Sequence, residues 1–121
     1  MIVLDASAIL AFLRQEPGRD LVAKAITDGA YCSAANWSEV VQKSLHAGRD
    51  VAAMTEALDA YDLVIEPVTR FDAEKAAALW VERPSLSLGD RLCLALAHRL
   101  GATAMTADAA WGTSEDVQQI R

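Results

Sequence analysis

The chain has 121 residues, 53% of them hydrophobic, and a formal net charge of −6. That length suits one domain able to bury a core without staples, and the apolar fraction leaves surface to spare for a partner. The acidic balance speaks against a general nucleic-acid binder, two cysteines are too few for a disulfide framework, and no apolar run nears the ~18 residues of a membrane span.

The chain opens MIVLDASAIL. Ile2–Leu4 reads as a short buried strand, and residues 7–15 as a helix ended by Pro17-Gly18. Asp5, set between two apolar segments, would cost several kcal/mol if buried unpaired. Its interruption of the apolar opening, with no basic stretch before it, argues against a secretory signal, so a cytoplasmic protein is expected. Arg19–Thr27 is a second helix, stopped near Gly29, and residues 30–33 a second strand. Residues 36–47 form a helix with Trp37, Val40, Val41 and Leu45 as its apolar stripe. Residues 51–61 form another, with Met54, Leu58 and Tyr61 on one side.

The alternation continues with a strand at 63–68, whose Pro67 suits a sheet edge. A helix at 71–81 follows, with Thr69 and Asp72 placed as its cap. LCLALA, residues 92–97, is apolar on every side, so its helix is central and buried and Gly101 ends it. Residues 102–105 are a strand and 117–120 a candidate for a last short one. Cys32 and Cys93 read as reduced core thiols. Trp37 and Trp80 are expected to pack in or against the core. Trp111 is expected to do the same, with substrate contact as its second possibility.

Strands alternating with helices imply a mainly parallel sheet of four or five strands, covered by helices on both faces. In such a fold the site lies beyond the carboxyl ends of the strands. Four acids are placed to converge there. Asp5 follows the first strand and Asp108 the fourth, Glu39 falls in the first turn of the third helix, and Asp90 in the first turn of the buried helix. Each also has a local explanation. Asp5 or Ser7 can cap the first helix, and Asp108 can cap a short turn. Asn36 with Glu39 and Ser87 with Asp90 have capping-box spacing. Taken together, clustered carboxylates repel one another, and a divalent cation with oxygen ligands, Mg²⁺ or Mn²⁺, relieves that repulsion.

In order and spacing, IVLDASAIL, SAANWSEV, LSLGDRLCLALA and MTADAAW resemble the PIN-domain ribonucleases, and among them the VapC toxins of bacterial toxin–antitoxin pairs. The resemblance runs from Met1 to about Trp111. It implies a three-layer α/β/α PIN fold over residues 1–121 and a metal-dependent endoribonuclease. The acidic quartet would be Asp5, Glu39, Asp90 and Asp108, with supporting hydroxyls at Ser7 and Thr106. The implied cofactor is Mg²⁺ or Mn²⁺, and the implied partners are an RNA substrate (tRNA or mRNA), a VapB-like antitoxin and a second copy of the chain. Ala109 to Thr113 contain no further acid, which leaves a second metal unsupported.

The quartet supplies four of the 17 acids, so 13 remain against 11 Lys and Arg. Arg14 and Arg91 lie nearest the motifs and are the candidate phosphate contacts, against the plainer reading as solvated surface charges. A phosphorelay receiver domain would need a lysine ending its last core strand, and Lys24, Lys43 and Lys75 all fall within helices. A haloacid-dehalogenase-type phosphatase would need an acid where Ser7 stands. The remaining rival is a PIN fold kept as a binding module with a dead site.

Overall fold

The computed structural model describes all of residues 1–121. Five strands form one sheet: β1 (Ile2–Leu4), β2 (Tyr31–Ser33), β3 (Val64–Glu66), β4 (Thr103–Thr106) and β5 (Val117–Gln119). Their order is β3-β2-β1-β4-β5, and every pairing is parallel. The helices are α1 (Ala6–Leu13), α2 (Arg19–Thr27), α3 (Ala34–His46), α4 (Val51–Asp59), α5 (Arg70–Glu82) and α6 (Leu88–Leu100), with a 3₁₀ turn at Ala109–Trp111.

Strand alternation sends neighbouring residues to opposite faces. Leu4 and Met105 join Ile9, Val22, Ile26 and Val40 in one apolar layer under α1 to α4. Val3 and Ala104 join Cys93, Leu94, Leu96 and Trp111 in a second layer under α6. The result is a three-layer α/β/α domain. Leu92 through Ala97 are all buried, as the all-round apolar LCLALA requires, and Gly101 ends α6 at φ +63°. Pro67 follows β3, which is an edge strand.

Several local expectations are corrected. Helix α4 stops at Asp59, leaving Tyr61 about half exposed in the turn beyond it. Leu45 is exposed, and Ser44 takes the buried position in that turn of α3, its hydroxyl against the Met54 sulfur. Trp80 is 57% exposed. Helix α5 turns Ala76 and Leu79 to the interior, and one residue further rotates the side chain about 100° outward. Trp37 packs against the first layer, and Trp111 is buried in the second. Cys32 and Cys93 are free, buried thiols.

The fold delivers the strand ends to one place. Leaving β1 the chain works outward through β2 and β3, then returns to β4 on the other side of β1. The carboxyl ends of β1 and β4 therefore flank the switch point, where open α/β sheets place their sites.

Candidate active site

Asp5 is the first residue beyond β1, and its N–H still donates to the Met105 carbonyl of β4. It is 3% exposed. Its Oδ1 caps α1 by accepting the Ala8 N–H at 2.8 Å. The Ser7 hydroxyl donates to it at 2.8 Å, and the Thr106 hydroxyl donates to Oδ2 at 2.7 Å. Both hydroxyl oxygens in turn accept backbone N–H groups, Ser7 from Ala107 and Thr106 from Asp108. Two short relays thus tie Asp5 to the loop that carries Asp108. Burial raises the Asp5 carboxyl from 3.8 to about 6; the Ala8, Thr106 and Ser7 bonds pull it down, and the charge of Asp90 adds to the rise.

Asp90 is the third residue of α6 and closes a reciprocal capping box with Ser87. The Asp90 N–H donates to Ser87 Oγ, and the Ser87 N–H donates to Asp90 Oδ2, both at 3.1 Å. Asp108 is exposed and caps the 3₁₀ turn, accepting the Ala110 N–H on Oδ1 at 2.9 Å. Gln119 of β5 braces that turn by donating to the carbonyls of Asp108 and Gly112.

Glu39 is not in the first turn of its helix. Ser33 caps α3, so the helix starts at Ala34 and Glu39 lies in the second turn. The Asn36–Glu39 capping box does not form. Asn36, 1% exposed, instead donates its amide to Glu39 Oε1 and to the Gly89 carbonyl, each at 3.0 Å. Its own Oδ1 is buried without a donor. Gly89 completes the junction, because a Cβ there would collide with the Glu39 carboxylate. Asn36 and Gly89 were not singled out in the sequence as site residues. Their signal is that two poor helix formers occupy helical turns beside the acids.

Asn36 ties Glu39 to the residue before Asp90, and the charge of Asp90 reaches Asp5. The buried Cys93 thiol is pushed up first by desolvation, then by Asp5, Cys32, Asp90 and Glu39. Asp108 stands at the rim. No three of the acids close tightly enough to chelate an ion as they stand. Their chemistry nevertheless suits a hard cation. Asp90, Asp108 and Glu39 each accept protein hydrogen bonds through one carboxylate oxygen and leave the other open. The orphaned Asn36 Oδ1 adds a neutral oxygen beside them.

The two arginines behave differently from each other. Arg91 donates to the carbonyls of Ala76 and Leu86, so its guanidinium braces α5 and the α5–α6 loop. Arg14 is exposed at the far end of α1 from Asp5, about 13.5 Å along the helix.

These features define a parallel three-layer α/β domain with an acidic site over its switch point. The family model of the PIN domain matches residues 2–112, and the chain belongs to that family. No curated protein sequence matches it. Among solved structures, a toxin–antitoxin complex from Klebsiella pneumoniae matches with TM-score 0.85 at 18% identity, over 100% of this chain and 98% of that one. The DNA-bound VapBC of Salmonella typhimurium matches with TM-score 0.74 at 14% identity, over 99% and 98%. Mycobacterium tuberculosis VapC20, described as a sarcin–ricin loop cleaving toxin, matches with TM-score 0.70 at 20% identity, over 95% and 98%. At these identities the likeness is one of fold.

Proposed function

We propose that the chain is a Mg²⁺- or Mn²⁺-dependent endoribonuclease, the toxin of a VapBC-type pair. The observation that supports this reading is that Asp5 ends β1 at the β1–β4 switch while the Asn36 amide ties Glu39 to Gly89, the residue before Asp90, in a PIN-family chain. Asp5, Asp90 and Asp108 would hold the cation, with Glu39. When bound, such a cation supplies an activated water and neutralises charge on the phosphate. Ser7 and Thr106 fix the Asp5 carboxylate through their hydroxyls. Glu39, clamped by Asn36, has one oxygen free to orient a water for in-line attack on phosphorus. With water as the nucleophile and the 3′-oxygen as the leaving group, the products would carry 5′-phosphate and 3′-hydroxyl ends and no 2′,3′-cyclic phosphate.

The partners follow the same reading: an RNA substrate, a VapB-like antitoxin and a second copy of the chain. The toxin–antitoxin complexes among the fold neighbours support the antitoxin. Exposed apolar side chains on α5, including Phe71, Trp80 and Val81, supply surface that protein partners would cover.

The test is to purify the chain free of antitoxin and offer total RNA with Mg²⁺, with EDTA, and with Asp90→Asn protein. Cleavage is expected with Mg²⁺ alone. Cleavage that persists in EDTA or in the variant refutes the metal-nuclease reading. RNA binding without cleavage under every condition would favour a catalytically inactive PIN-fold binding module.

A further inference from the structure

A cavity of about 330 Å³ opens between the α5–α6 loop and the segment that follows Asp108. Arg83, Ser85 and Leu86 of the α5–α6 loop form one wall, and Trp111, Thr113 and Ser114 form the other. It therefore lies between the segments that carry Asp90 and Asp108. Ser85 and Leu86 run directly into Ser87, the cap of α6, and residues 110–114 follow Asp108.

Two residues of the lining, Arg83 and Trp111, carry hydrogen-bond donors without partners. Arg83 donates through Nη2 to Ser114 Oγ at 3.1 Å, and the same nitrogen stands 3.8 Å from the Asp116 carboxylate. Its Nη1 is buried with no acceptor. Trp111, 3% exposed, has its Nε1 in the same condition. Only three buried side-chain N or O atoms in the chain lack a partner, and two of them are these donors. Both can give a hydrogen and neither can accept one. Buried donors of this kind are costly unless an acceptor arrives.

Of the arginines near the motifs, Arg83 alone keeps a guanidinium nitrogen buried without an acceptor. Arg91 is spent on backbone carbonyls, and Arg14 is at the far end of α1. Asp116 is more than half exposed, so solvent weakens its hold on Arg83. The Arg83 side chain is 28% exposed and within reach of a ligand. The cavity falls in the size range of small-ligand pockets, which suits a single nucleotide.

We propose that this cavity receives the nucleotide next to the scissile bond, with a backbone phosphate of the RNA on the Arg83 guanidinium. The proposal rests on the ribonuclease reading and adds the subsite that holds the strand. An arginine fork matches phosphate oxygens in a way an ammonium does not. One such contact would give a chain of net charge −6 a local cation for the phosphate backbone.

The test compares wild type, Arg83→Ala, Arg83→Lys and Trp111→Phe in steady-state cleavage of total RNA with Mg²⁺. It also measures binding of a labelled random-sequence single-stranded RNA by the same variants carrying Asp90→Asn. Arg83→Ala should raise KM about tenfold, with the effect on KM rather than kcat, and Arg83→Lys should fall between it and wild type. The slope of log affinity against log salt should shrink by about 0.7, the share of one phosphate on a single strand. Trp111→Phe should raise KM by less. Should Arg83→Ala fail to fold, Thr113→Glu places a carboxylate at the exposed cavity mouth and should raise KM similarly. Wild-type protein that cuts RNA while Arg83→Ala keeps the same KM and salt slope overturns the cavity and leaves the reaction standing. Wild-type protein that neither cuts nor binds RNA removes the ribonuclease reading and the cavity with it.

Discussion

Asp5→Asn should make the metal-free protein more stable at neutral pH. Asp5 is almost fully buried, and its carboxyl rises from 3.8 to about 6 on folding. The folded state therefore binds a proton more tightly than the unfolded chain does. Between these two values the folded state carries more protons, so raising the pH lowers stability, and above about 6 the full cost is present. That gap, at about 1.36 kcal/mol per pH unit, amounts to about 3 kcal/mol. Asparagine keeps an oxygen for the Ala8 N–H, and its amide can donate to Thr106 once that hydroxyl turns, so most of the hydrogen bonding survives. The assay is urea denaturation of both proteins from pH 4 to pH 8 in EDTA. Their difference cancels the titration of the other acids. It should be near zero at pH 4 and grow to about 3 kcal/mol in favour of the variant by pH 7. Adding Mg²⁺ or Mn²⁺ should then shrink the difference, because a cation stabilises the ionised carboxylate of the wild type alone. A difference that stays flat with pH would refute the reasoning.

Two further substitutions separate the site from the scaffold. Gly89→Ala would stabilise an ordinary helix position by about 1 kcal/mol, but here the new Cβ forces the Glu39 carboxylate away from Asn36. Stability should change by less than about 1 kcal/mol while RNA cleavage falls tenfold or more, and unaltered cleavage would contradict the placement of Glu39. Arg99→Ala removes the two-pronged partner of the buried Asp72. Burial alone would raise that carboxyl, yet the Arg99 and Thr69 bonds outweigh it and hold it below 3.8. The pair therefore adds stability above 3.8 that is lost as pH falls through the lowered value. Arg99 is one-quarter exposed, so the loss in urea denaturation should be about 2–3 kcal/mol, at or below the low end for a buried pair. Cleavage by the folded fraction should be unaffected, since Arg99 lies at the opposite end of α6 from Asp90.

The layer structure was legible because its signals are periodic. Residues 2–4, 30–33 and 102–105 read as strands because each is a short run adjoining a helical stretch, and LCLALA has no polar side to turn to water. Helix starts were legible where a reciprocal cap exists, as at Thr69–Asp72 and Ser87–Asp90. The same rule failed at Asn36–Glu39. Ser33 stands three residues earlier, at the end of a strand, and takes the cap, so the pair moves one turn into α3. Trp80 failed for a different reason. Its helix turns Ala76 and Leu79 to the interior, and size alone does not bury a side chain facing the other way.

At the acids, the two readings the sequence offered are not rivals. Each acid does accept a local hydrogen bond: Asp5 from Ala8, Asp90 from Ser87, Asp108 from Ala110, and Glu39 from Asn36. A carboxylate has lone pairs for about four bonds, so one cap does not exhaust it. Three of the four leave an entire oxygen open. The caps hold those oxygens still, which lowers the ordering cost of binding anything between them. Asp5 is the exception, with both oxygens engaged and the deepest burial. Its carboxylate is the one that pays for ionisation in the absence of a cation, and so the one whose titration should report a cation's arrival. Sequence spacing cannot separate a cap from a cation ligand, because under the proposed function one carboxylate serves as both, with one oxygen for each.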